Sequence, residues 1–480
     1  MPLLALFSFR NILPDQYFCA ILIRYGGDDL KNMNILQAAE SCGGAIYGDY
    51  HPDTELGRIV IDSRTIKPGD VFAAFKGEKT DGHAFIGAAF AKGASCCIAE
   101  RLPEKLDGPI ILVDSVEKAL EKISEAYRKS LDIPIIGIAG SVGKTSAKEM
   151  IWSVLSQRWN VHKTDGNLNN TLGVPMTLSG IDSEHRAAVI EMGISDFGEM
   201  TSLARMVQPD IAVFTVIGHA HLEFLHDLDG VFRAKTEMLS FVSPDGTVIV
   251  NGDDEKLREL RCPQTRLSFG LSADCDVRAE NVRVFPDGTV GCRISYGMRS
   301  FDVHIPSYGQ HMVYAALEGA SVGFVMGLQD EEIIAGIEAF QPIGRRGTVT
   351  VTESLTVIDD CYNANPDSVK CAIDSLMKLK GRHICILADM LEQGEQGKEM
   401  HCDVGRYAFN SGIDLVLTCG QLGRYIADGA GEIGVHFADS AELMKCMREY
   451  LRKGDCVLVK ASRGMNLGTV SDTLKGIELS

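Results

Sequence analysis

Ile135-Ile136-Gly137-Ile138-Ala139-Gly140-Ser141-Val142-Gly143-Lys144-Thr145-Ser146 is the stretch on which the reading of this chain turns. An apolar run of strand type enters a glycine-rich turn and leaves as a helix. Glycines let backbone N–H groups close around phosphate oxygens, and the helix N-terminus adds partial positive charge. Lys144 is placed to bridge β- and γ-phosphates, and Thr145 to offer its hydroxyl to Mg²⁺. The strict pattern G-x-x-x-x-G-K-[ST] fails because Gly137 stands one place too early, but the core G-x-x-G-K-T-S is intact. Gly140, Ser141, Val142, Gly143, Lys144, Thr145 and Ser146 are therefore expected to hold a nucleotide triphosphate. The device serves kinases, motors, GTPases and ligases alike, so it does not name a reaction.

Outward from the loop, strands alternate with helices. AAVIEMG, DIAVFTVIG and GTVIVNGDD are apolar runs ending in Gly or polar residues, the pattern of a mostly parallel sheet with helices on both faces. The alternation repeats in LTVIDDCYN, HICILADM, LVLTCG and DCVLVKAS. Before the loop, brief strand-like runs (RIVIDSR, KPGDVFAAFKG, SCCIAE) and the amphipathic VEKALEKISEAYRKSL suggest a smaller α/β unit. The expected class is α/β in three domains: a small N-terminal α/β domain at 33–131, a central P-loop domain with a mostly parallel sheet at 132–341, and a C-terminal doubly wound, Rossmann-like domain at 342–480. Residues 1–32 are expected to be an extension of uncertain order or the product of too early a start codon.

The chain has 480 residues and a net charge of −18. So acidic a surface repels phosphate backbones, and nucleic acid is not expected as a partner. Small anions remain possible ligands of a local basic pocket. The 14 cysteines are scattered with no C-x-x-C pair, which points to a reduced, cytoplasmic protein. No run reaches the roughly 18 apolar residues of a membrane helix. The interrupted apolar stretch of 1–24 lacks the basic start and unbroken core of a signal peptide.

Glu191 ends the strand AAVIEMG, where an acid in a parallel sheet faces the ligand crevice and suits Mg²⁺. His221, in IGHAHLE, and Lys235, in FRAKTEML, carry little signal alone: Mg²⁺ prefers oxygen ligands, and a helix lysine is usually solvated.

Taken together, these pieces resemble the Mur ligases of bacterial cell-wall synthesis, from about residue 55 to 475. GSVGKTS at 140–146 is similar to the family's shortened loop. Gly166-Asn167-Leu168-Asn169-Asn170 with Gly173-Val174-Pro175, and Asp359-Asp360-Cys361-Tyr362-Asn363-Ala364-Asn365-Pro366, are similar to segments of the branch that adds D-alanyl-D-alanine to UDP-N-acetylmuramoyl-tripeptide. No DNPR-type signature of the sister ligase is present. Ala388 and Ala461 stand where family segments carry Gly.

The resemblance implies an ATP-dependent peptide ligase of peptidoglycan precursor synthesis, cytoplasmic and monomeric, that uses two Mg²⁺ ions. It implies catalytic roles for Lys144, Lys235, His221 and Glu191, with metal bound by Thr145, Glu191, His221 and a carbamylated Lys235. His311, Asp359, Asn363 and an arginine after Pro342-Ile343-Gly344 would serve the nucleotide. Spacing favours Arg346, with Arg345 as the alternative. The family's adenine-facing Asn falls on Ala315, so His311 and backbone groups are expected to serve instead. Ser63, Arg64 and Lys76 would meet the uridine nucleotide, and Asn167, Asn169, Asn170, Tyr362 and Asn365 the rest of the substrates. The alternatives are a related ligase with another amine, or a P-loop ATPase without ligation.

Overall fold

The strand Ile135–Ala139 is buried at every position and pairs in parallel with Ala187–Glu191 on one side and Ile211–Phe214 on the other. Residues buried on both faces need no polar alternation, which is why these runs read as continuously apolar. They form the middle of a nine-stranded sheet among the residues described by this computed structural model, 33–77, 80–285 and 287–479. The segment 1–32 lies outside them. Seven strands, from Val161–Lys163 at one edge to Val277–Val284, are parallel. Val290–Tyr296 and Arg299–Ile305 then add an antiparallel ribbon. Buried Val290, Cys292 and Ile294 alternate with outward residues, the period-2 sign of a sheet with one wet face. Their inner face packs with the helices Lys144–Leu155 and Met312–Val325 in one core.

The N-terminal sheet has five strands in the order Ala45–Tyr47, Ile110–Leu112, Cys96–Ala99, Val71–Ala73 and Ile59–Val60; only the first pairing is antiparallel. Its last helix, Val116–Ser130, is capped by Ser115 Oγ, which accepts from Lys118 N, and carries Arg128 and Lys129 in its final turn. One end of that helix packs into the N-terminal core through Leu120 and Ile123, the other into the central core through Tyr127. Arg128 donates to Asp210, whose Oδ2 also accepts from Ile135 N at 3.0 Å. The two sheets are thus joined through the strand that feeds the loop.

The C-terminal sheet runs Thr348–Val351, Leu355–Asp359, Asp455–Lys460, His383–Ala388, Leu415–Cys419, Gly434–Phe437, parallel after its first pairing. Ala388 and Ala461 are buried there, and neither has a positive φ, so the residues that replace glycine fit without strain. Among the described residues no helix is long and apolar enough to cross a membrane, and all cysteines are free.

Candidate active site

The loop after Ile135–Ala139 is held open by its neighbours. A Cβ on Gly140 would lie 1.9 Å from Thr215 Oγ1, so only glycine fits there. That hydroxyl donates to Val142 O at 2.5 Å. Ser141 Oγ donates to Gly218 O and accepts from Gly218 N, both at 3.0 Å. Gly143, at φ +85, begins the helix Lys144–Leu155 with no side-chain cap, leaving its first N–H groups for a ligand. Lys144 Nζ donates back to Gly140 O at 2.8 Å, and burial pulls its ammonium below the ordinary lysine value against the pull of Glu191.

Glu191 is 2% exposed at its strand end. Thr145 Oγ1 donates to its Oε2 at 3.0 Å, and Asn169 Nδ2 to its Oε1 at 2.8 Å. Its nearest cation is Lys148, at 3.9 Å. Gly193 lets the Asn169 side chain approach: a Cβ there would sit 3.0 Å from the Asn169 amide. The carboxylate is held mainly by neutral donors, a hard-oxygen arrangement suited to a small divalent cation that keeps several waters.

Lys235, on the helix Leu228–Thr236, is 1% exposed, and its side-chain amine makes no hydrogen bond or ion pair among the described residues. Burial and the Lys144 charge, against the pull of Glu199, hold its amine well below the usual lysine range. An unpaired buried ammonium is costly, so the neutral amine is favoured. His221 adopts a left-handed backbone, φ +56, and its Nδ1 lies 2.6 Å from Glu392 Oε2 of the C-terminal domain. Glu392 is also left-handed, φ +62. His219 N donates to Asp367 Oδ2 at 2.8 Å, a second link between the two domains. Among the described residues no three His, Cys, Asp or Glu side chains converge as a closed metal cage.

Two left-handed glycines, Gly344 at φ +69 and Gly347 at φ +68, bracket the arginine pair and send the side chains to different places. Arg345 donates to Asp359 Oδ2 at 2.8 Å and Asp472 Oδ2 at 2.7 Å. Arg346 makes no ion pair among the described residues and stacks 3.8 Å over the Tyr362 ring. With Thr145, Ser146, Glu149, Met312 and Phe340 it lines a cleft of about 250 Å³ open to solvent.

The remaining expected residues are less closely gathered. Asp359 is buried, taken by Arg345, Lys475 and the Cys361 thiol, which leaves its carboxylate none of the freedom that Glu191 has. Asn365 Oδ1 caps the helix Pro366–Leu376, and Asn363 Oδ1 accepts from Ala364 N. Asn170 Oδ1 accepts from Gly173 N, and Asn167 is exposed. His311 stands at the N-terminus of Met312–Val325, and Ala315 is buried in the core behind it. Ser63, Arg64 and Lys76 lie in the N-terminal domain, with Arg64 paired to Asp62 and Lys76 exposed.

Sequence reasoning passed over Lys148, Thr164, Thr215, Asp367 and Glu392. For Lys148 a signal existed: it follows Lys144 by four residues, one turn on the same helix face. Asp367 and Glu392 could not be found that way, because their partners come from another domain.

A nucleotide-loop sheet flanked by two further α/β sheets defines a class of ATP-using ligases, and comparison places the chain within it. The family profiles "Mur ligase family, catalytic domain", "Mur ligase middle domain" and "Mur ligase, glutamate ligase domain" match residues 55–138, 138–323 and 344–463. UDP-N-acetylmuramoyl-tripeptide–D-alanyl-D-alanine ligase of Bacillus subtilis is 33% identical over 441 residues, 89% of this chain and 95% of that protein. Its Escherichia coli counterpart is 32% identical over 92% of this chain and 98% of its own length. Crystal structure I of MurF from Acinetobacter baumannii superposes with TM-score 0.86 at 30% identity, covering 94% of this chain and all of that one. MurF from Thermotoga maritima in complex with ADP gives 0.79 at 27% identity, covering 88% and 97%. The chain belongs to the Mur ligase family.

Proposed function

We propose that this Mur ligase joins D-alanyl-D-alanine to the carboxylate of UDP-N-acetylmuramoyl-tripeptide and converts ATP to ADP and phosphate. The observation that carries the reading is the constellation at the strand ends: Lys144 and Thr145 on the loop, Glu191 held by Thr145 and Asn169, and Arg346 free of ion pairs on the same cleft. Near-full-length likeness to relatives named for that reaction supports the choice of substrates.

The substrate carboxylate oxygen attacks the γ-phosphorus, the bond to the β–γ bridging oxygen breaks, and ADP leaves. Loop N–H groups, Lys144 and Arg346 face the charge on the transferring oxygens. The dipeptide amine then attacks the acyl carbon, the amine proton is lost, and phosphate departs with the C–O bond. Thr145 and Glu191 would hold Mg²⁺, with His221 and Lys235 on a second ion; bound there, Mg²⁺ withdraws charge from phosphoryl oxygens. Lys235 suits carbamylation: burial favours its neutral form, which can add CO₂ and lose a proton, giving oxygen ligands for a cation. His219–Asp367 and His221–Glu392 bring the C-terminal domain over the site, which favours exclusion of water from a hydrolysable acyl phosphate. Ser63, Arg64 and Lys76 are assigned to the uridine nucleotide, and Asn167, Asn169, Asn170, Tyr362 and Asn365 to the substrates between the domains. His311 and Asn363 complete the proposed nucleotide contacts, and the enzyme acts as a cytoplasmic monomer.

The test incubates purified protein with ATP, Mg²⁺, UDP-muramyl tripeptides ending in diaminopimelate or lysine, and D-alanyl-D-alanine. A product heavier by the dipeptide less water is expected by mass spectrometry. Phosphate release independent of both acceptors would overturn the reading.

A further inference from the structure

The mechanism uses Glu191 but gives no role to the lysine beside it. Lys148 lies on the helix Lys144–Leu155 and is 1% exposed. Its ammonium donates to Thr164 O at 2.7 Å and lies 3.0 Å from Glu149 Oε1 and 3.9 Å from Glu191 Oε2. Thr164 is itself fully buried. Its Oγ1 accepts from Glu191 N at 3.0 Å, and its own N–H donates to Val189 O at 3.1 Å. A continuous line of contacts therefore runs from the Lys148 ammonium through Thr164 to the backbone of Glu191.

Charge alone would argue against a lysine here, since an ammonium beside a cation site repels the cation. Glu149 lessens that repulsion. It stands closer to Lys148 than Glu191 does, and Coulomb attraction falls with distance. Lys163 closes on the same Glu149 carboxylate from the other side while lying 3.5 Å over the Trp152 ring. Glu149, though shared with Lys163, thus holds the Lys148 ammonium more closely than Glu191 does, and what Lys148 gives Glu191 through Thr164 is place. Resting on the reading of Glu191 as a Mg²⁺ ligand, we infer that Lys148 is a positioning residue for the divalent-cation site, acting through Thr164 on the Glu191 backbone.

The experiment titrates Mn²⁺ into the full chain without nucleotide and counts free ion by electron paramagnetic resonance. Lys148→Met and Thr164→Val are each expected to weaken binding about tenfold, while Lys148→Arg stays within about threefold of wild type. The double variant Lys148→Met/Thr164→Val is expected to bind no more than about threefold worse than the weaker single, because both act along one route. Independent sites would multiply their losses, and that result overturns the relay. So does a Lys148→Met protein that binds Mn²⁺ as wild type does. If Lys148→Met does not fold by circular dichroism, Thr164→Val decides, and wild-type binding by it refutes the inference. Glu191→Gln separates the two claims. If it binds normally, the cation site itself is misassigned; if it loses binding while Lys148→Met does not, only the role of Lys148 falls.

Discussion

Glu191 and Asp359 occupy the same place in two different sheets. Each is the last residue of a parallel strand, each is nearly inaccessible, and each is given a site role by the family resemblance. Their surroundings are opposite. Asp359 is closed by Arg345 and Lys475, both at 2.8 Å. Glu191 meets a hydroxyl and an amide, with its nearest ammonium at 3.9 Å. A carboxylate already neutralised by two cations is a structural rivet; one held by neutral donors keeps its charge for an incoming cation. Position at a strand end nominates an acid, and the company it keeps decides its use.

Exchanging the two acids for amides gives the sharpest test. Glu191→Gln is expected to lower turnover about a thousandfold while the thermal midpoint stays near wild type. Asp359→Asn should do the reverse, costing about 1–3 kcal/mol of stability in urea unfolding, because Arg345 and Lys475 lose their buried partner and keep only the exposed Asp472. If both variants lost activity with stability intact, the contrast would be wrong.

Lys235→Ala is expected to reduce turnover about a hundredfold, with partial rescue by a short carboxylic acid. A carbamate carbon signal in protein equilibrated with ¹³C-bicarbonate should disappear in the same variant. Glutamine or arginine at 235 working as well as lysine would exclude the carbamate.

The adjacent arginines extend the comparison. Arg346→Ala should lose about 1.5–3 kcal/mol of transition-state stabilisation, roughly ten- to a hundredfold in kcat/KM, without loss of stability. Arg345→Ala should unfold at lower urea with activity per folded molecule preserved.

The smallest effect concerns pH. Burial raises the Asp359 carboxyl, but hydrogen bonds from Cys361 and Lys475 outweigh it and hold the group below its ordinary 3.8. The stability this supplies is complete above that value and is lost as pH falls through the lower, folded-state value. The acid limb of the stability curve should therefore flatten in Asp359→Asn; an unchanged limb would show that Asp359 is not held down.

Much of the fold was legible because its signals are local. Ile135–Ala139, Ala187–Glu191, Leu355–Asp359 and Asp455–Lys460 all lie where apolar runs predicted strands. The ribbon Val290–Ile305 was not foreseen, since its alternating pattern is weak beside the parallel runs. At the site, the loop announced itself, but the burial of Lys235 did not: its helix neighbours Arg233 and Glu237 made it look solvated.

Taken alone, the amino-acid order determined the strand–turn–helix at Gly140–Lys144, the division into α/β units and the family, because dihedral preference, hydrophobic run length and motif spacing are properties of neighbours along the chain. Only the tertiary structure decided which strand-end acid is neutralised, what partners occupy Arg345, and that Lys148 and Lys235 are buried in opposite ways, one hydrogen-bonded and ion-paired and one with neither. Those outcomes depend on charges and packing supplied from tens to hundreds of residues away, and no local pattern records them.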